Sequence, residues 1–155
     1  MTSNTFTGSY QHTQRGTLIL AVMLGMALTC AVLAMMVFKT FWITAVFLVV
    51  VAWLFSSLTI EITDQALGWK FGPGFIRKNV NLAEIISVEP VRTGLSWGIH
   101  WGPRTGWLYN VSGFDAVLIT LRNGKKFTLG TDEPQALVTR LTEAIQQNPA
   151  SSFKT

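Results

Sequence analysis

The sequence predicts a membrane-embedded hairpin of two α-helices followed by a β-rich domain: about seven antiparallel strands in a bent sheet or partial barrel, closed by one C-terminal helix. Three observations carry this expectation. Two uncharged runs, 22 residues from Thr17 to Phe38 and 20 from Phe41 to Ile60, stand side by side near the N-terminus. From residue 58 onward the apolar period shortens to two, as in half-buried strands. Near the end it lengthens again, with Leu137, Leu141 and Ile145 on one helical stripe.

Composition agrees. Of 155 residues, 49% are hydrophobic and 13% charged, and the mean hydropathy is +0.37, which leans towards a membrane protein. Arg15 and Lys39 are the only formal charges in residues 1–57; the other 10 basic and all 8 acidic residues lie in 58–155. Each part therefore nets +2, and no strongly basic region offers itself to nucleic acid. Cys30, the only cysteine, lies inside the first apolar run, which removes any intrachain disulfide framework or cysteine-based metal site.

Residues 1–14 are polar and rich in Ser and Thr, so they are expected to form a disordered lead. Residues 15–57 hold the hairpin, with helices at about 17–38 and 41–60, the second overlapping the first strand. A spanning helix needs roughly 20 apolar residues. Lys39 is the natural turn, because a charge at the bilayer centre costs at least about 3 kcal/mol. The first run is longer than the apolar part of a secretory leader and lacks a small-residue cleavage end, which argues against a signal peptide. Arg15, Lys39, Trp42 and Trp53 are the expected anchors at the lipid–water boundary. Arg15 with Lys70, Arg77 and Lys78, set against Lys39 alone, predicts both termini and the β domain on the cytoplasmic side. Ala27, Ala31 and Ala34 form a small-residue stripe on the first helix, and Ala45, Ala52 and Ser56 one on the second. These suit close helix packing, with each other or with a further partner.

The β domain is expected over residues 58–147, with 148–155 as a tail. Leu58, Ile60 and Ile62 alternate with polar residues in a first strand, and Asp64–Ala66 makes a tight turn. Leu67, Trp69 and Phe71 form a second strand, stopped by Gly72-Pro73-Gly74. A third places Ile76, Val80 and Leu82 inward; Lys78 interrupts that face, which points to a bulge or an edge position. A fourth runs over 82–92 around Ile85, Ile86 and Val88 and stops at Pro90. The stretch 93–113 holds Trp97, Trp101 and Trp107 among five glycines. It reads as a glycine-bent hairpin, with Trp97 and Ile99 opposite Trp107 and Tyr109 around a Gly102-Pro103 turn. Residues 114–122 and 125–129 flank Asn123-Gly124, a strong hairpin signal. Thr131 to Pro134 then starts the closing helix, which ends near Asn148-Pro149.

The segments IEITDQALGWKFG, LAEIISVE and GWLYNVSGFDAVLITLRNGKKFTLGTDEP, in that order, resemble the bacterial pleckstrin-homology-like (PH-like) domain membrane proteins that carry a transmembrane hairpin before the domain. The resemblance covers about residues 58–147. It implies a PH-like fold at the bacterial inner membrane, serving as a binding scaffold without a reaction or a cofactor. The usual inositol-phosphate loop of PH domains is here the short, acidic Thr63–Ala66, so that function is not carried over. Lys70, Arg77 and Lys78 are the nearest substitute for meeting anionic lipid headgroups. Trp97, Trp101 and Trp107 either plug the open end of the small β-core or serve as anchors for a membrane protein partner or a second copy of the chain, with Arg104 and His100 as their polar rim. No catalytic, metal or nucleotide motif is present. An accessory, assembly or oligomerisation module is expected, with a lipid-headgroup sensor as the alternative. Asn110-Val111-Ser112 has the form of a glycosylation sequon.

Overall fold

Helix one, α1, occupies Thr17–Met36, and helix two, α2, Phe41–Leu54, in a computed structural model that describes residues 10–37, 39–94 and 98–148. At about 1.5 Å per residue, α1 is about 30 Å long and α2 about 21 Å. Among the described residues, α1 is the one helix long and apolar enough to cross a membrane. Its side chains are turned outward, Leu28, Met35 and Met36 among them, unlike those of a helix packed inside a soluble core. The helix expected over 41–60 stops at Leu54 because residues 57–62 join a sheet instead. The small-residue stripes meet each other: Ala27, Ala34, Ala45 and Ala52 are buried between the two helices. Lys39 is exposed in the connecting turn beside Trp42, while Arg15 and Trp53 lie at the opposite end.

The first sheet has the order β1-β2-β3-β4: Tyr10–Arg15, Ser57–Ile62, Ala66–Phe71 and Ile76–Asn81, all antiparallel. Here the expectation of a disordered lead through residue 14 is corrected, since Tyr10–Arg15 pairs with β2 from Tyr10↔Ile62 to Arg15↔Ser57. The reason lies in β2. Leu58, Ile60 and Ile62 are buried, and a bare edge there would leave backbone groups unpaired beside the core. The polar strand covers that edge. It is held by Thr13 Oγ1 to Thr59 Oγ1 at 3.0 Å, Gln14 Nε2 donating to the Ser112 carbonyl at 2.8 Å, and His12 Nε2 at 2.6 Å from Asp132 Oδ1. His12 is therefore ordered, contrary to its placement in a loose lead.

Tyr10 opens this strand, and its buried hydroxyl finds no hydrogen-bond partner among the described residues. Burial pushes its phenol pKa up, and Glu133 and Asp132 add to the rise against a smaller opposing effect of Arg140. A raised folded-state value means that the neutral phenol is favoured in the native protein. Its contribution to stability is therefore intact below about pH 10 and lost as pH climbs through the folded value. Tyr10→Phe is expected to keep stability at pH 7 within about 1 kcal/mol of wild type. The gap between wild-type and variant melting temperatures should move in the variant's favour between pH 9 and 11. Parallel melts with a constant gap would refute this.

The second sheet has the order β5-β8-β9-β7-β6. Its strands are β5 Ile85–Arg92, β6 Gly98–Gly102, β7 Gly106–Asn110, β8 Asp115–Leu121 and β9 Lys126–Gly130. Pairing is antiparallel except between β7 and β9. The fourth strand does not stop at Pro90, which sits opposite Val117 and is followed by two more paired residues. As β5 is an edge strand, a missing N–H can face outward without loss. Among the described residues there are nine strands, above the expected seven or so, and the unforeseen one is β1 from the N-terminal lead. Helix α3, Pro134–Gln147, closes the domain with Leu137, Leu141 and Ala144 buried. They meet Leu58, Ile60, Phe71, Val117 and Leu129 in one core.

Candidate functional site: an aromatic groove rimmed by lysines

The two sheets leave edge strands β4 and β6 on the same flank, and a groove of about 670 Å³ lies between β4 and the β6–β7 hairpin. Its floor follows from the alternation of β3. Leu67, Trp69 and Phe71 all point inward, and Trp69 stacks on Phe127 with ring centroids 4.8 Å apart and planes at 19°. Tyr109 leans against the same indole at 5.3 Å. Lys78 lies opposite Trp69 on the edge strand, and its Nζ donates to Tyr109 Oη at 2.9 Å. An inward-pointing lysine is tolerated there because the edge keeps its ammonium near water.

The β6–β7 hairpin forms the far wall. Its three-residue turn sets Trp101 opposite Trp107 and Ile99 opposite Tyr109. The expected facing of Trp97 with Trp107 is thus replaced by Trp101 with Trp107, and Trp97 itself lies outside the described residues. Trp101 is 64% exposed and Trp107 49%, and both line the groove. Of the polar rim expected around them, Arg104 is exposed at the turn. His100 falls opposite Leu108, one residue out of phase with Trp101, and so projects from the other face of the hairpin. Neither lines the groove. The hairpin is seated by Gly106: its φ is +64°, and a Cβ there would collide with the carbonyl of Lys126. Only glycine lets β7 come this close to β9.

Lys125 and Lys126, from the β8–β9 turn and the start of β9, complete the lining with Lys78, and no Asp or Glu lines it among the described residues. No imidazole or thiol lines it either. The groove therefore offers aromatic contact surface, positive charge and hydrogen-bond donors, which is the chemistry of binding. Trp69, Tyr109, Phe127, Lys125 and Lys126 were not singled out from the sequence. The parallel β7–β9 pairing that brings them together leaves no periodic trace; the asparagine-glycine turn followed by two lysines was the one visible hint.

The lipid-headgroup candidates are divided. Lys70 Nζ is 2.6 Å from Glu61 Oε1, a surface pair worth about 0–1 kcal/mol. Lys78 is engaged with Tyr109. Arg77 is exposed, faces Lys70 in register, and has no side-chain partner among the described residues. The glycosylation form of Asn110-Val111-Ser112 has a structural explanation. Asn110 is fully buried; its Oδ1 accepts from the Ser112 N–H at 3.1 Å, and its Nδ2 donates to the Gly113 carbonyl at 3.2 Å. A Cβ on Gly130 would strike this same amide. The NVSG and LGTDEP segments thus interlock to fix the β7 end against β9. Comparisons with family models, curated proteins and solved structures returned no match.

Proposed function

We propose that the chain is a membrane-anchored, PH-like binding module that serves as an accessory, assembly or oligomerisation subunit of a membrane protein complex. The α1–α2 hairpin crosses the inner membrane twice, and both termini and the β domain lie on the cytoplasmic side. Same-side placement is supported by the pairing of β1, which precedes α1, with β2, which follows α2. The PH-like assignment is supported by antiparallel strands in two sheets around one core, followed by a single C-terminal helix.

The observation that carries the binding role is the exposed Trp101–Trp107 pair beside a lysine-rimmed groove that no Asp or Glu lines among the described residues. Large exposed aromatics around a concave site are the usual anchors of an interface. The partner surface would then be apolar with an acidic fringe. Purification of tagged full-length chain in a gentle detergent tests this. A stoichiometric complex or discrete homo-oligomer is expected for wild type and its loss for W101A/W107A, with the melting temperature changed by only a few degrees. An assembly that survives both substitutions would refute the groove as the docking surface. Retained anionic lipid on a monomer would favour the headgroup-sensing alternative, in which Arg77 would carry more weight than the engaged Lys70 and Lys78.

A further inference from the structure

We propose that the β3–β4 turn, Gly72–Phe75, is a lipid-inserted element that completes the short second crossing. The proposal rests on the hairpin spanning the membrane. Helix α2 is about 21 Å long, roughly 9 Å less than the hydrocarbon layer. A crossing this short must be met by local thinning or by drawing the structure that follows it into the interface. What lies against its last turn is the β3–β4 connection. A Cβ at Gly72 would fall 2.6 Å from the Leu54 carbonyl oxygen and 2.7 Å from that of Trp53, so the turn and the helix end are in direct backbone contact. Phe75 meets Trp53 edge-on with centroids 6.0 Å apart, yet stays 75% exposed, and Trp53 stays 54% exposed. Two large aromatics, both more than half exposed, thus sit at the end of an apolar helix, where such rings favour the lipid–water boundary.

The backbone of the turn suits lipid. Gly72 N–H donates to the Ser57 carbonyl at 2.8 Å and Gly74 N–H to that of Phe71 at 2.8 Å, while Pro73 has no N–H to satisfy. A segment entering hydrocarbon must leave few donors unpaired. Behind the tip, Lys70 and Arg77 face each other across β3 and β4, one residue pair beyond Phe71↔Ile76. Their long stems let the charges reach the headgroup layer while Phe75 lies deeper. The β domain is in this way seated in the interface, held by helix and turn together.

The test places an environment-sensitive nitrobenzoxadiazole label on single cysteines in the full chain with Cys30 replaced by alanine, reconstituted into phosphatidylcholine vesicles. The labelled sites are Phe75→Cys, Phe47→Cys in α2, and Asp64→Cys in the β2–β3 turn. Quenching by lipids spin-labelled on the upper acyl chain should be at least threefold stronger at position 75 than at 64, with blue-shifted emission. Position 47 should be quenched by lipids labelled lower on the chain. If 47 is quenched and 75 behaves like 64, the turn is in water and the proposal fails while the crossing stands. If 47 is unquenched as well, the crossing fails and the proposal falls with it.

Discussion

Gly106→Ala is expected to lower the stability of the β domain by about 3 kcal/mol or more, enough to prevent folding at physiological temperature if the domain is of ordinary stability. Two effects add. The left-handed backbone at φ +64° costs a non-glycine residue about 1–2 kcal/mol. The new methyl would also occupy the space of the Lys126 carbonyl, so β7 and β9 must move apart. That pairing carries Trp107↔Phe127 and Tyr109↔Leu129, so separation would open the core as well as the groove. Gly124→Ala is the control. Its φ is +77°, but nothing lies within 4 Å of a Cβ there, so only the conformational cost remains, about 1–2 kcal/mol. Urea unfolding of the detergent-solubilised chain, followed by near-ultraviolet circular dichroism, would separate the two. Equal losses at 106 and 124 would mean that close strand approach is not what Gly106 provides.

Trp69→Ala carries the second large effect, about 3–5 kcal/mol. The indole is 5% exposed, stacked on Phe127 and tilted against Tyr109, so its removal leaves a cavity under the groove that those rings cannot fill without leaving their strands. Trp69→Phe should recover more than half of the loss by keeping an aromatic face against Phe127. Trp101→Ala and Trp107→Ala should cost far less, about 1 kcal/mol each, because Trp101 is 64% and Trp107 49% exposed. Among these three tryptophans one serves the fold, and two are free to serve contact. A Trp101→Ala loss as large as that of Trp69→Ala would place Trp101 in the core and remove it as an anchor. Chemical-denaturation midpoints measured side by side would decide.

The groove was only half legible in the sequence. Trp101 and Trp107 stood out because large aromatics in a glycine-rich stretch are unusual, and their hairpin followed from Gly102-Pro103. The floor was hidden, because Trp69, Tyr109 and Phe127 come from strands far apart in the chain and read locally as ordinary core. His100 was grouped with Trp101 by nearness in sequence, yet in a strand adjacent residues face opposite ways. Lys78 showed the reverse: a charge interrupting an apolar alternation pointed to a bulge or an edge, and the strand is an edge, where an inward ammonium stays hydrated.

By itself the sequence determined what local burial requires: two apolar runs, strand periodicity from residue 58, the asparagine-glycine hairpin and the stripe of the closing helix. These are properties of neighbouring residues, written in the spacing of apolar side chains. Tertiary structure alone decided that α2 ends at Leu54 and that polar Tyr10–Arg15 becomes a strand. It also decided that β7 runs parallel to β9, and that Phe75 comes to rest on Trp53. Each of these depends on hydrogen bonds or close contacts between segments many residues apart. Backbone groups carry no side-chain signature of their partners, so such choices emerge only when the whole chain is packed.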